Sequence, residues 1–136
     1  MDIDLALLAD AATIDAAGKL NILGIFDRIA VPDFPGRHGR MCIVLRFRAG
    51  INEVGRHQLA ITLVGPQGNE VARADGAFQV AASTTAMSEG VQLPQVLNVD
   101  GIVFQTAGRY AFDVRVDGEH HVSIPLRVSS TAAGRA

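Results

Sequence analysis

The sequence contains no tryptophan, one tyrosine, one cysteine and, at Lys19, one lysine among twelve basic residues. Each scarcity excludes something. Aromatics make up 5% of the chain, so there is no stock of exposed rings for a carbohydrate-binding or single-strand-binding surface. The lone Cys42 rules out an intrachain disulfide and leaves a thiolate metal site without a second sulfur ligand. Neither charge sign dominates: twelve basic residues against fourteen acidic ones give a net charge of −2. That balance carries no electrostatic footprint for nucleic acid. No apolar run approaches the ~20 residues that a membrane-crossing helix needs. The opening Met1-Asp2-Ile3-Asp4 is acidic where a secretory leader is positive, so a cytoplasmic location is expected. Arginine used almost to the exclusion of lysine, in an alanine-rich chain, points to a bacterial genome of high GC content.

What is present is apolar and alternating. Hydrophobic residues form 49% of 136 residues, enough for one domain with its own core. Met41, Ile43, Leu45 and Phe47 alternate with Cys42, Val44, Arg46 and Arg48. His57, Leu59, Ile61 and Leu63 alternate with Gln58, Ala60, Thr62 and Val64, and Tyr110, Phe112, Val114 and Val116 with Ala111, Asp113, Arg115 and Asp117. A period of two predicts strands with one face in a core. Leu5–Thr13 also meets a helical spacing, but the long apolar Lys19–Ala30 needs a partner, and a strand is preferred. Asp117-Gly118, Pro66-Gln67-Gly68-Asn69 and Asp15-Ala16-Ala17-Gly18 mark hairpin turns. Val31–Gly39 and Ala82–Pro94 read as loops, and Pro125 places the last strand at an edge or a bulge. The expectation is an all-β fold: a single antiparallel immunoglobulin-like β-sandwich of about eight strands over residues 1–128, with a flexible tail at 129–136. Gly108-Arg109-Tyr110, opening a strand ahead of an inward Phe112, resembles the tyrosine-corner neighbourhood of such sandwiches.

Two stretches carry a resemblance. Leu7-Leu8-Ala9-Asp10-Ala11 with Asp15-Ala16-Ala17-Gly18-Lys19-Leu20-Asn21-Ile22-Leu23-Gly24-Ile25-Phe26-Asp27-Arg28-Ile29 resembles the opening of a family of short bacterial proteins classed as a domain of unknown function. Gly108-Arg109-Tyr110 and Val116-Asp117-Gly118-Glu119 resemble its closing hairpin. The resemblance implies an all-β fold and supplies no activity, cofactor or catalytic residue.

The residues that carry chemistry do not assemble into a recognisable set. His120 and His121 are adjacent on a strand and leave opposite faces, so they cannot share a metal. His57 is expected inward at a strand end, and His38 in the proline-rich loop beside Arg37 and Asp33. Cys42 is expected as a half-exposed structural thiol on the face opposite Met41 and Ile43, away from His57. There is no Gly-x-Ser-x-Gly, and no glycine-rich turn starts a helix to cradle phosphate. Arg46, Arg48, Arg73, Asp75, Asp113 and Arg115 read as outward faces laced by cross-strand ion pairs.

These absences favour a non-catalytic interaction or structural module, with no catalytic residue, cofactor or metal to assign and an unidentified protein partner. The alternative is a small-ligand-binding protein or enzyme whose site is built from loops 31–39 and 82–94. Lys19–Ala30 is apolar on both faces. With no spare helix to cover it, a second subunit supplies the third layer, so a two-fold homodimer is expected. Leu23, Ile25, Ile29 and the loop aromatic Phe34 form the expected interaction surface.

Overall fold

The computed structural model describes residues 1–81 and 90–131. Nine strands and one 3₁₀ turn follow each other in the order β1 (Asp2–Ile14), β2 (Leu20–Phe26), β3 (Arg28–Val31), β4 (Gly36–Ala49), the turn Ile51–Glu53, β5 (Gly55–Val64), β6 (Glu70–Val80), β7 (Val91–Phe104), β8 (Gly108–Val116) and β9 (Glu119–Ser130). They form a four-stranded sheet, β2-β1-β4-β7, and a five-stranded sheet, β3-β9-β8-β5-β6. All pairings are antiparallel except β3 with β9, which run parallel.

The main core lies between the sheets and takes the inward alternate residues of both: Leu8, Met41, Ile43, Leu45 and Phe47 meet Leu59, Ile61, Leu63, Phe112, Val114 and Leu126. Burying a side chain of this size contributes roughly 1.5–3 kcal/mol. Phe47 stacks on Phe78 at 4.7 Å, and Phe104 meets the edge of Tyr110 at 5.0 Å. The Tyr110 hydroxyl donates to the Thr106 carbonyl at 2.7 Å.

The three turn signals hold. Asp117 and Gly118 take φ of 51° and 83° between β8 and β9, the left-handed pair that a two-residue hairpin requires. Gly68 N–H donates to the Gly65 carbonyl between β5 and β6. The Asp15 carboxylate accepts from Ala17 and Lys19 N–H between β1 and β2.

Several expectations are corrected. The ambiguous Leu5–Thr13 lies within β1 as strand. Lys19–Ala30 is two strands, since the chain leaves the four-stranded sheet after Phe26 and enters the other at Arg28. The loop expected at 31–39 shrinks to residues 32–35 because Gly36–Gly39 pair with β7 as part of β4. Of the expected loop 82–94, residues 91–94 belong to β7, and 82–89 lie outside the described residues. Ser129 and Ser130 are held in β9 against β3 rather than in a tail, and 132–136 lie outside the described residues. Pro125 sits where β3 has not yet begun, so β9 is locally an edge there.

The largest correction concerns the third layer. Ala9, Cys42 and Val44, on the outer face of the four-stranded sheet, are fully buried in a second cluster with Leu5, Leu7, Ala12, Leu20, Ile22 and Val96. Leu20 and Ile22 come from the far end of the β1–β2 hairpin, which curls back over that face. The bend falls at Gly24, whose φ is 71° and against which the Asp10 carboxylate packs so closely that a Cβ would lie 2.2 Å from Oδ2. Only glycine fits both demands. Cys42 is therefore wholly buried, its thiol donating to the Ala9 carbonyl at 3.4 Å, and this chain covers its own outer face.

Candidate functional site

The expected interaction surface separates on folding. Leu23 and Ile25 lie on the edge strand β2 and are 71% and 64% exposed. Ile29 is 8% exposed and belongs to the main core, because β3 turns it inward against β9. Phe34 is half-buried and packs on the same core as a cap, not as a free anchor. His38 lies in β4 opposite Ile102, beside the Phe26 ring, with its Nε2 buried and unpartnered.

His57 is held most tightly of the four histidines. Its Nδ1 lies 2.6 Å from Asp117 Oδ2 and its Nε2 lies 2.5 Å from the Glu53 carbonyl, and its ring stacks on Phe78. Both partners only accept hydrogen bonds, so the geometry demands two donors, the imidazolium. The hydrogen bond to Asp117, then that to the Glu53 carbonyl, raises the His57 pKa above its ordinary value against a smaller effect of burial. Asp117 is correspondingly lowered, first by His57 and then by Gln58 N–H. Partial burial pushes the Glu53 carboxyl up, but hydrogen bonds from the N-terminal ammonium at 2.6 Å and from Gly50 N–H outweigh it, and its pKa is lowered. These groups fasten the 3₁₀ turn to the β8–β9 hairpin. Among the described residues, no hydroxyl or thiol shares a hydrogen bond with His57.

A second cluster lies on the outer face of the five-stranded sheet. Asp113 accepts from Arg115 Nε at 2.9 Å and bonds His120 Nδ1. Burial raises its pKa, but these two hydrogen bonds prevail and lower it. Arg73 pairs with Asp75 at 3.2 Å, and Arg46 on β4 with Asp4 at 2.8 Å. The expected cross-strand pairing is met by Arg46 with Asp4 and by His120 with Asp113, whereas Arg73–Asp75 and Arg115–Asp113 run along a single strand. Among the described residues, no three of His, Cys, Asp and Glu gather as a metal would need.

One row is paired only in part, through Arg28 and Asp27 at 3.3 Å, and it was not singled out in the sequence. Arg28, Arg127 and Arg109 stand opposite one another across β3, β9 and β8. Together with Asp27, Tyr110, Pro125 and Leu126 they line a hollow of about 300 Å³. The three lie far apart in sequence, and only the strand register brings them together.

Across residues 4–129 the chain matches DUF6941, a family of unknown function, and it belongs to that family. No curated protein matches it.

Proposed function

For this member of DUF6941 we propose a non-catalytic interaction module of the bacterial cytoplasm, an immunoglobulin-like sandwich that pairs with a second copy of itself through β2. The observation that carries the reading is the character of the sheet edges. β2, Leu20–Phe26, contains no charged residue and no proline, and it presents Leu23 and Ile25 to solvent around the bend at Gly24. The other edges are guarded: β6 by Glu70, Arg73 and Asp75, β7 by Pro94 and Asp100, and β3 by its length of four residues. Natural sheets protect their edges in these ways against unwanted pairing, so an edge left apolar and uncharged is one kept for a partner. A second copy suits it because a two-fold axis sets the same apolar strand against itself. The Tyr110 hydrogen bond to Thr106, four residues upstream, supports the immunoglobulin-like part of the reading.

Light scattering coupled to size exclusion tests the pairing. The expected mass at micromolar concentration is that of two chains, and Ile25→Asp shifts it to one while leaving the circular dichroism of the fold intact. A wild-type mass of one chain that persists on concentration overturns the proposal.

A further inference from the structure

Arg28, Arg127 and Arg109 project from one face within two strand spacings, about 10 Å. Like charges directly opposite one another in a sheet are destabilising. Elsewhere on this face the repulsion is relieved, since Arg73 and Arg115 each have a carboxylate. In this row only Arg28 has one, Asp27 at 3.3 Å, and both groups of that pair are largely exposed. Arg109 and Arg127 have no carboxylate partner among the described residues. The Tyr110 hydroxyl is committed to Thr106 and does not enter the hollow as a ligand. The hollow exists because β3 begins only at Arg28, opposite Arg127. Before that point β9 is paired with β8 alone and has no strand on its other side, where Pro125, lacking an N–H, leaves no donor unpaired.

We infer that this hollow is an oxyanion site for a phosphoryl group, taken as inorganic phosphate or as the phosphate of a small ester. Three guanidinium groups and one carboxylate leave two positive charges uncompensated, which match a phosphate dianion and are only half balanced by a monocarboxylate. The planar guanidinium fork bonds phosphate oxygens in pairs. A volume of about 300 Å³ falls at the small end of ligand pockets. The inference does not depend on self-association through β2.

Thermal unfolding in low-salt buffer at pH 7.5 tests it, with inorganic phosphate, glycerol 3-phosphate, acetate, or sodium chloride at matched ionic strength. At ten times its Kd, phosphate is expected to raise Tm by about 5 °C, with acetate and chloride giving far less. A response to glycerol 3-phosphate as well identifies the ester form, and a response to inorganic phosphate alone the free ion. Arg127→Gln and Arg109→Gln should each abolish most of the response without lowering the ligand-free Tm, since each relieves a like-charge contact. Arg73→Gln should retain the response in full. A chloride effect equal to that of phosphate, or an undiminished response in both variants of the row, overturns the inference. Should either variant fail to fold, the other, checked by circular dichroism, decides.

Discussion

The two sheets of this molecule treat their outer faces in opposite ways. The outer face of the four-stranded sheet carries an apolar patch, Ala9, Cys42 and Val44, sealed beneath the curled end of the β1–β2 hairpin, with the Arg46–Asp4 pair beside it. That of the five-stranded sheet is charged and bare, carrying Arg73, Asp75, Asp113 and Arg115. Both sheets contribute an inner face to the same core, so the core does not decide the difference. It is decided by what the chain has to spare. The first hairpin is long enough, with the positive φ of Gly24 within β2, to fold over its own sheet. Among the described residues nothing folds over the five-stranded sheet in this way, and its outer face meets water with charge.

Placing a carboxylate on each face gives the largest contrast. Val44→Asp buries an unpaired charge and should remove several kcal/mol, a large share of the stability of a domain this size. Ala77→Asp on the open face should change stability by no more than about 0.5 kcal/mol. Denaturant melts of the two variants report this directly, and comparable losses would mean that the hairpin is not a seal. Loosening the seal itself is the next step down. Ile22→Ala, at a half-buried position, should cost about 1–2 kcal/mol and make the Cys42 thiol react with a thiol reagent far faster than in the wild type.

Titration gives a smaller contrast. The sealed cluster contains no ionisable side chain besides Cys42, whose pKa burial pushes up. His57, on the other sheet, is held charged. Because its pKa is raised above the ordinary 6.5, its contribution is complete below that value and is lost as pH rises through the raised one. Wild-type Tm should therefore fall relative to His57→Gln as pH rises from about 6.5, whereas Asp113 and Asp117, both lowered, lose their contributions only as pH falls into the acid range. A constant difference between the two proteins from pH 6 to 9 would show that His57 is not clamped as the cation. The smallest effect belongs to the exposed ion pairs. Arg115→Gln should cost no more than about 1 kcal/mol, and less in high salt.

Local chemistry made much of this legible. Alternation located Met41–Phe47, Leu59–Leu63 and Tyr110–Val116, and the three turns follow from residues that accept a positive φ or bond their own backbone. The sequence is silent where the answer depends on register or on a change of sheet. Nothing local in Lys19–Ala30 announces that Asp27 is a crossing point. Cys42 and Val44 were readable as apolar and outward, but not as covered, because the cover comes from Leu20 and Ile22 after a bend at one glycine. His57 and Asp117, 60 residues apart, and the row Arg28, Arg127 and Arg109 become neighbours only once strand pairing is known.

The parallel pairing of β3 with β9 has a consequence for synthesis. The Ser129 hydroxyl donates to the Ile29 carbonyl across 100 residues of chain, and a ribosome adding about 5–20 residues per second takes roughly 5–20 s to make that span. β1, β2 and β4 are all complete by Ala49, so the hairpin can close over its sheet early in translation. β3 has no such option. Its apolar Ile29 and Val31 wait for β9, the last of the described strands, to emerge, and through that interval the nascent chain carries an unpaired edge that β9 alone removes.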